Sequence, residues 1–422
     1  MVASIFAAAM LSGAPVPAAP TTLNATSSNT GWAAQSAAVL TTANYPEAHP
    51  SGATSGLSMQ CLLADTFVGA RSTALPGGFR LADAPLVGMW IYWTATQGSV
   101  ELRFTSDNFV SKTKTFGWSF SGQIHSGWNL LTVRPDGLAA TNPGGATWTV
   151  AGGFLDTDVV NGLEIRISTN GAALTEVFYG GIFYHPAVPT KGAVMMGFDR
   201  YEDTSIYTLA LPILANAGMF GYAAGDTDKI ATPGANRTQI QNLYNAGWDI
   251  ISQGPNHTDY TASPGNLSAD YDASKAVLDG LGLTRASKLF AYPFSANNAT
   301  TDATLTGKGC PIARSGWAWA IHPNEYNAGP KLIGHGAVNM GGKTLTTMKN
   351  LVDQAATYGV TLNFFTHGLT AGGDGTTPPA DTLLWYANDY QSLVDYLVVK
   401  RSANLIYTQS PTQWLRSRKV SF

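Results

Sequence analysis

The chain has 422 residues, a net charge of -3, 45% hydrophobic residues and 12% charged ones, about half the usual charged share. Its length holds two or three domains with cores of their own, and its balance gives no basic footprint for nucleic acid or an anionic membrane. Gly 45, Trp 11 and Tyr 17 mark a loop-rich, aromatic-rich and polar but uncharged chain, a pattern common among extracellular and virion proteins.

Residues 1–24 read as an N-terminal extension or linker. The start is rich in alanine, but no Lys or Arg occurs before Arg71 and the apolar run is short, so a signal peptide is not expected. No stretch is long and apolar enough to span a bilayer. Cys61 and Cys310 lie far apart and predict two buried thiols rather than a disulfide framework.

From 25 to 186 the chain shows short alternating runs between Gly, Pro, Asn and Asp turns. Examples are Leu86–Ala95, Ser99–Ser106, Gly127–Pro135 and Gly162–Thr169. In the last, Leu163, Ile165 and Ile167 share one face while Glu164, Arg166 and Ser168 share the other. Regular short strands without intervening helices predict an antiparallel β-sandwich, closed by Glu176–Pro186. Trp90, Trp93, Trp118 and Trp148 either stack on sugar rings or pack inward, and alternating aromatics on strands usually pack inward.

The chain changes character at Pro186–Thr190. Apolar runs at Ala193–Phe198, Gly218–Ala224, Trp248–Ser252, Lys288–Pro293, Pro311–Gly316, Thr361–His367 and Asn404–Gln409 alternate with helical segments. In the first of these segments Ile206, Leu209, Ala210, Ile213, Leu214 and Ala217 fall on one helix face. Such alternation predicts parallel strands joined by right-handed crossovers, hence a barrel-like α/β domain over 190–422. Chemistry in such domains sits at the carboxyl ends of the strands. Asp199, His257, Pro293 and His367 all fall at or just beyond such ends.

Several motifs occur in order along the second half. They are "FDR" at Phe198–Arg200, the Pro212-Ile213-Leu214 step, "AGWDIISQGPNHTDYT", "FAYPFSANN", "FFTHGL" and "DYLVVKRSANLIYTQSPTQWL". The run from about 191 to 415 resembles the polysaccharide deacetylase family, metal-dependent carbohydrate esterases with a distorted (β/α) barrel. The resemblance implies that Asp199 is the general base and His367 the late catalytic histidine. It places Pro293, Phe294 and Arg200 against the substrate, and His257 as a ligand of a divalent metal such as zinc.

The metal motif departs from that pattern. Arg200 stands where the metal-binding Asp belongs and Gln253 where the first metal His belongs; a guanidinium cannot ligate a cation and an amide is a poor substitute for imidazole. Two readings of Glu202 and Asp203 stay open. Either one, Asp203 first, swings into the vacated ligand place, or Arg200 pairs with Asp199, Glu202 or Asp203 in a structural cluster that caps the first helix. His185, His322 and His335 match no motif and are expected to be ordinary loop residues.

The first half in turn resembles the jelly-roll modules that precede deacetylase-like domains in phage tail and cell-surface proteins. Three functions follow as alternatives: hydrolytic de-acetylation of a bacterial surface polysaccharide, glycan binding without catalysis, or a structural role in a virion. All imply an extracellular or virion setting, and a tail fibre or spike implies a homo-oligomer, most simply a trimer.

Overall fold

The computed structural model describes residues 21–24, 27–36, 38–46, 53–61, 67–84, 86–94, 98–119, 127–133, 148–168, 175–185, 191–231, 234–316, 322–323, 332–358 and 360–417. The side chains of Cys61, Trp118, His185, His322 and His335 lie outside this description.

Two antiparallel sheets occupy the first half. Strands β1 (Thr21–Asn24), β2 (Trp32–Gln35), β3 (Ala38–Asn44), β4 (Ser55–Cys61), β5 (Val68–Ser72) and β6 (Leu86–Trp93) come first. They are followed by β7 (Ser99–Thr105), β8 (Thr113–Ser119), β9 (Gly127–Val133), β10 (Thr149–Ala151), β11 (Gly162–Ser168) and β12 (Thr175–His185). One sheet runs β3-β4-β12-β6-β9 with β1 on β12, and the other runs β10-β8-β7-β11-β5-β2.

Residues of both sheets enter a single buried apolar cluster, including Met59, Met89 and Val177 from the first and Leu102, Leu163 and Ile165 from the second. Thr21–Asn24, assigned by sequence to the extension, instead pairs with Ile182–Tyr184 as β1, because Leu23 is buried in this cluster. Trp93 is fully buried there, and Trp148 packs on Phe116 at 5.1 Å, so both serve the interior. Trp90 is half-buried and meets Trp128 edge-on. Glu164, expected on the polar face of β11, is nevertheless buried, because Arg71 and Arg103 both bond its carboxylate.

The second half builds a ten-stranded, almost entirely parallel sheet. Its strands are β13 (Gly192–Asp199), β14 (Tyr222–Gly225), β15 (Asp249–Ser252), β16 (Phe290–Ala291), β17 (Ile312–Arg314) and β18 (His322–Pro323). They continue with β19 (Leu332–His335), β20 (Val338–Asn339), β21 (Val360–Thr366) and β24 (Ile406–Thr408), while β22 (Leu369–Thr370) and β23 (Trp385–Tyr386) form a separate pair. The order is β18-β21-β13-β14-β15-β16-β17-β19, with β20 on β21 and β24 on β13; β18 is antiparallel.

Helices α1 (Leu211–Asn216), α2 (Asp228–Ala231), α3 (Ala235–Asn245), α4 (Leu267–Gly280), α5 (Ala299–Gly307), α6 (Leu345–Tyr358), α7 (Ala387–Ser402) and α8 (Pro411–Ser417) fill the crossovers and the end of the chain. The first crossover is not one uniform helix: Ile206–Ala210 takes wider π-turns before α1. The change falls beside Pro212, which has no N–H to continue a regular ladder.

Strand alternation on β13 places the site. Val194, Met196 and Phe198 pack outward against Leu214, Leu243, Val352 and Leu393 of the helices. Ala193 and Met195 face inward with Tyr222, Ala224, Ile251 and Ile312. Period two therefore carries Gly197 and Asp199 onto the inner face as well. The missing side chain at Gly197 is filled by Tyr222, since a Cβ there would lie 2.0 Å from Tyr222 Cζ. Gly197→Ala is expected to destabilise the protein by about 1–3 kcal/mol through overpacking. Denaturant unfolding measures this, and an unchanged midpoint would show that the ring yields freely.

Candidate functional site

Asp199 ends β13 on the inner face and is 5% exposed. Its Oδ1 accepts a hydrogen bond from Nη2 of Arg314, the last residue of β17, which is 3% exposed. These strands stand four places apart in the sheet, so the pair reaches across the interior of the curl. The guanidinium also lies over the Phe365 ring of β21, 4.4 Å from its centroid. Beneath it, the Tyr222 hydroxyl donates to Asn363 Oδ1 at 2.9 Å. Arg314 Nε is buried with no hydrogen-bond partner among the described residues.

His367 follows β21, and its N–H donates to Leu383 O at 2.9 Å. Its ring meets Phe365 edge-on at 5.9 Å, and Nδ1 is buried without a partner among the described residues. Burial, chiefly, holds the imidazole below its ordinary value; Asp199 opposes this, while Arg314, Arg200 and His257 reinforce it. His367 is therefore neutral at pH 7. The same influences place Asp199, Arg314, Arg200 and His257 each within electrostatic reach of His367.

Arg200 is the exposed residue immediately after Asp199 and sits at φ 63, where a non-glycine residue is strained. It has no ion-pair partner among the described residues, so the cluster with Asp199, Glu202 or Asp203 does not form. Those carboxylates are engaged elsewhere. Glu202 pairs with Lys229 of α2. Asp203 Oδ1 accepts both the N–H and the hydroxyl of Ser205, and its carboxylate abuts Gly368. Ser205 Oγ in turn accepts from Leu369 N at 2.7 Å, so Asp203 ties the start of the first crossover to the end of β21.

His257, also at positive φ (60), lies beyond β15. Its Nδ1 is 3.0 Å from Oδ1 of Asp226, which follows β14 and also pairs with Lys229 at 3.3 Å. With Nδ1–H donated to Asp226, Nε2 of a neutral ring keeps its lone pair. The His257 ring meets Phe294 edge-on at 4.8 Å. Pro293 is buried, whereas Phe294 is 68% exposed.

Whether these residues suit a zinc-like ion follows from their donors. Among the described residues no three His, Cys, Asp or Glu side chains stand together to hold one. Asp199 is bonded to Arg314, Asp203 to Ser205, and Gln253 is buried with only an amide to offer. A guanidinium in the adjoining position repels a cation, so the residues present do not fit a structural or catalytic zinc site.

Arg314 and Asp226 are the functional candidates that reading the sequence missed. Both obey the strand-end rule that picked out Asp199 and His367: Arg314 closes "PIAR" and Asp226 follows "GYAAG". Arg314 and Asp199 are 115 residues apart and Asp226 and His257 are 31 apart, so neither contact leaves a local pattern.

No protein family's profile matches the sequence, and no curated protein matches it. Among solved structures, the neighbours are family 4 carbohydrate esterases and polysaccharide deacetylases. The Xyl-CE4 domain of a multidomain xylanase from the hindgut metagenome of Trinervitermes trinervoides is 14% identical, with 55% of this chain and 93% of that one covered at a TM-score of 0.37. A family 4 carbohydrate esterase from Streptomyces lividans gives 14% identity, 53% and 93% coverage and a TM-score of 0.34. A family 11 carbohydrate-binding module from Clostridium thermocellum covers 39% of this chain and 95% of its own, at 12% identity and a TM-score of 0.28. At such identities and scores the site has to be read from its own residues.

Arg314→Met leaves the Asp199 carboxylate buried and uncompensated. It is expected to cost about 3–5 kcal/mol in denaturant unfolding. The variant also removes a positive charge that depresses His367, so the imidazole should titrate at higher pH by NMR. Unchanged stability together with an unmoved His367 would show that the pair is incidental.

Proposed function

We propose that residues 25–186 form a jelly-roll-like sandwich and residues 190–422 a deacetylase-like barrel whose mouth engages an acylated bacterial surface polysaccharide. In this reading the mouth hydrolyses the acyl ester without a metal ion. The observation that carries it is a partly buried His367, lowered in proton affinity by burial and within electrostatic reach of the Asp199 carboxylate, above the Asp199–Arg314 ion pair.

The resemblance made Asp199 the base and His367 the acid, but burial reverses the simplest assignment. A neutral imidazole takes a proton rather than giving one. Water attacks the acyl carbon as His367 accepts its proton, and the carboxylate of Asp199 stabilises the imidazolium that forms. Arg200, exposed and without an ion-pair partner among the described residues, stands beside the developing oxyanion. Collapse breaks the acyl carbon–oxygen bond, and the sugar oxygen leaves with the proton held by His367. The products are a carboxylic acid and the free sugar hydroxyl. Pro293 and Phe294 form the rim against which the sugar lies.

A second reading is a glycan-binding module without turnover, favoured by the exposed Phe294 ring and by the engagement of Asp199 with Arg314. In either case the loop-rich and weakly charged composition suits an extracellular phage tail protein, with a trimer as its simplest assembly. No helix among the described residues is long and apolar enough to cross a membrane.

Acetate release from O-acetylated xylan in the presence of chelator tests the first reading. Because the His367 value is lowered, release should rise with pH through a midpoint below the ordinary histidine value of 6.5. His367→Ala should lower release by about 10²–10⁴-fold, and Asp199→Asn should also reduce it. Retention of the polysaccharide without release would favour the binding module. Neither release nor retention would refute both.

A further inference from the structure

The turn that carries Phe294 is held in an unusual way. Phe294 and Ser295 both adopt left-handed backbone, at φ 54 and φ 59, although neither is glycine. Ser295 N donates to Tyr292 O and Ala296 N to Pro293 O, each at 3.0 Å, so residues 293–296 form a tight double turn. Consecutive left-handed residues persist only where the surroundings over-determine them, and such strain concentrates at ligand sites. Here it presents a large apolar ring to solvent.

What over-determines the turn is one half-buried carboxyl side chain. Asp302, in the first turn of α5, accepts the Tyr292 hydroxyl on Oδ1 at 2.7 Å. It accepts Asn297 Nδ2 on Oδ1 and Oδ2 at 3.1 and 3.0 Å. Tyr292 and Asn297 are the residues immediately before and after the turn, so a single side chain closes its base. Tyr292 N also donates to Arg314 O at 2.8 Å, which joins this base to β17, whose Arg314 side chain bonds Asp199. Burial pushes the Asp302 carboxyl up to about 7, and the Tyr292 and Asn297 hydrogen bonds only partly offset it.

We propose that Asp302 is a positioning residue that locks the 293–296 turn and so sets Phe294, beside His257, as a stacking platform for the apolar face of a pyranose ring. The proposal rests on the glycan reading above and adds the subsite that would seat the sugar. Asp302 does not touch the sugar; it acts through the turn.

A double-mutant cycle on binding of O-acetylated xylo-oligosaccharides by calorimetry tests the coupling. Phe294→Ala should weaken binding about tenfold, the scale of one aromatic contact. Asp302→Ala should do the same, and the double variant should be no weaker than the worse single one, because both changes remove one platform. Additive losses near a hundredfold would overturn the proposal, as would unchanged affinity in either single variant. If Asp302→Ala does not fold, Asp302→Asn takes its place, since its amide sets a donor against Asn297 Nδ2. Should the wild-type protein bind no oligosaccharide, the glycan reading fails and the platform with it. The lock is still tested by hydrogen exchange at Ser295 and Ala296, which Asp302→Asn should accelerate severalfold; unchanged exchange would overturn the lock itself.

Discussion

The ion pair between Asp199 and Arg314 is the constraint on which the second half of the chain turns. Two charges withdrawn from water are unfavourable unless geometry and further contacts compensate them. Arg314 therefore needs Asp199 and the Phe365 face, and Asp199 needs a cation within the barrel interior. Since β13 and β17 stand four places apart, the pair can form only if the parallel sheet curls. The vacant side chain at Gly197 admits Tyr222 beneath the pair, and Tyr222 donates to Asn363 on β21. Inner-face packing, sheet curvature and the placement of Asp199 are thus one solution to one electrostatic problem.

The mouth above that pair is chemically different from a cation site although it stands where one is implied by resemblance. Its carboxylates are distributed among local partners: Asp199 to Arg314, Glu202 and Asp226 to Lys229, Asp226 also to His257, and Asp203 to Ser205. Lys229 and Arg314 thus pair with carboxylates that a cation would need. His367 has a buried Nδ1 without a partner among the described residues and a lowered affinity for protons. An imidazole of that kind is suited to accept a proton beside a carboxylate that welcomes the resulting charge.

Much of this was legible in the residues. Period two in Leu163–Ile167 placed Leu163, Ile165 and Ile167 on the core face, and the rule that chemistry lies at the carboxyl ends of parallel strands singled out Asp199, His257 and His367 as candidates. What escaped had non-local causes. Arg314 is 115 residues from Asp199, and only the curl brings them together. Glu164 looks like a solvent-facing residue until Arg71 and Arg103, on neighbouring strands, cover it. Asp203 was open to two readings because a carboxylate ahead of a helix can cap or ligate; the Ser205 and Gly368 contacts show a capping role. The π-turns before α1 likewise share their apolar spacing with an ordinary helix.

The account's central claim is that the mouth is organised by Arg200 and Arg314 rather than by an ion. It is tested most directly by titrating the protein with zinc while following the imidazole NMR signals of His257 and His367. The account predicts that both rings keep their shifts at equimolar zinc, because Asp226 and the adjoining guanidinium groups leave no ligand set. Stoichiometric movement of the His257 signals at equimolar zinc, reversed by chelator, would contradict it.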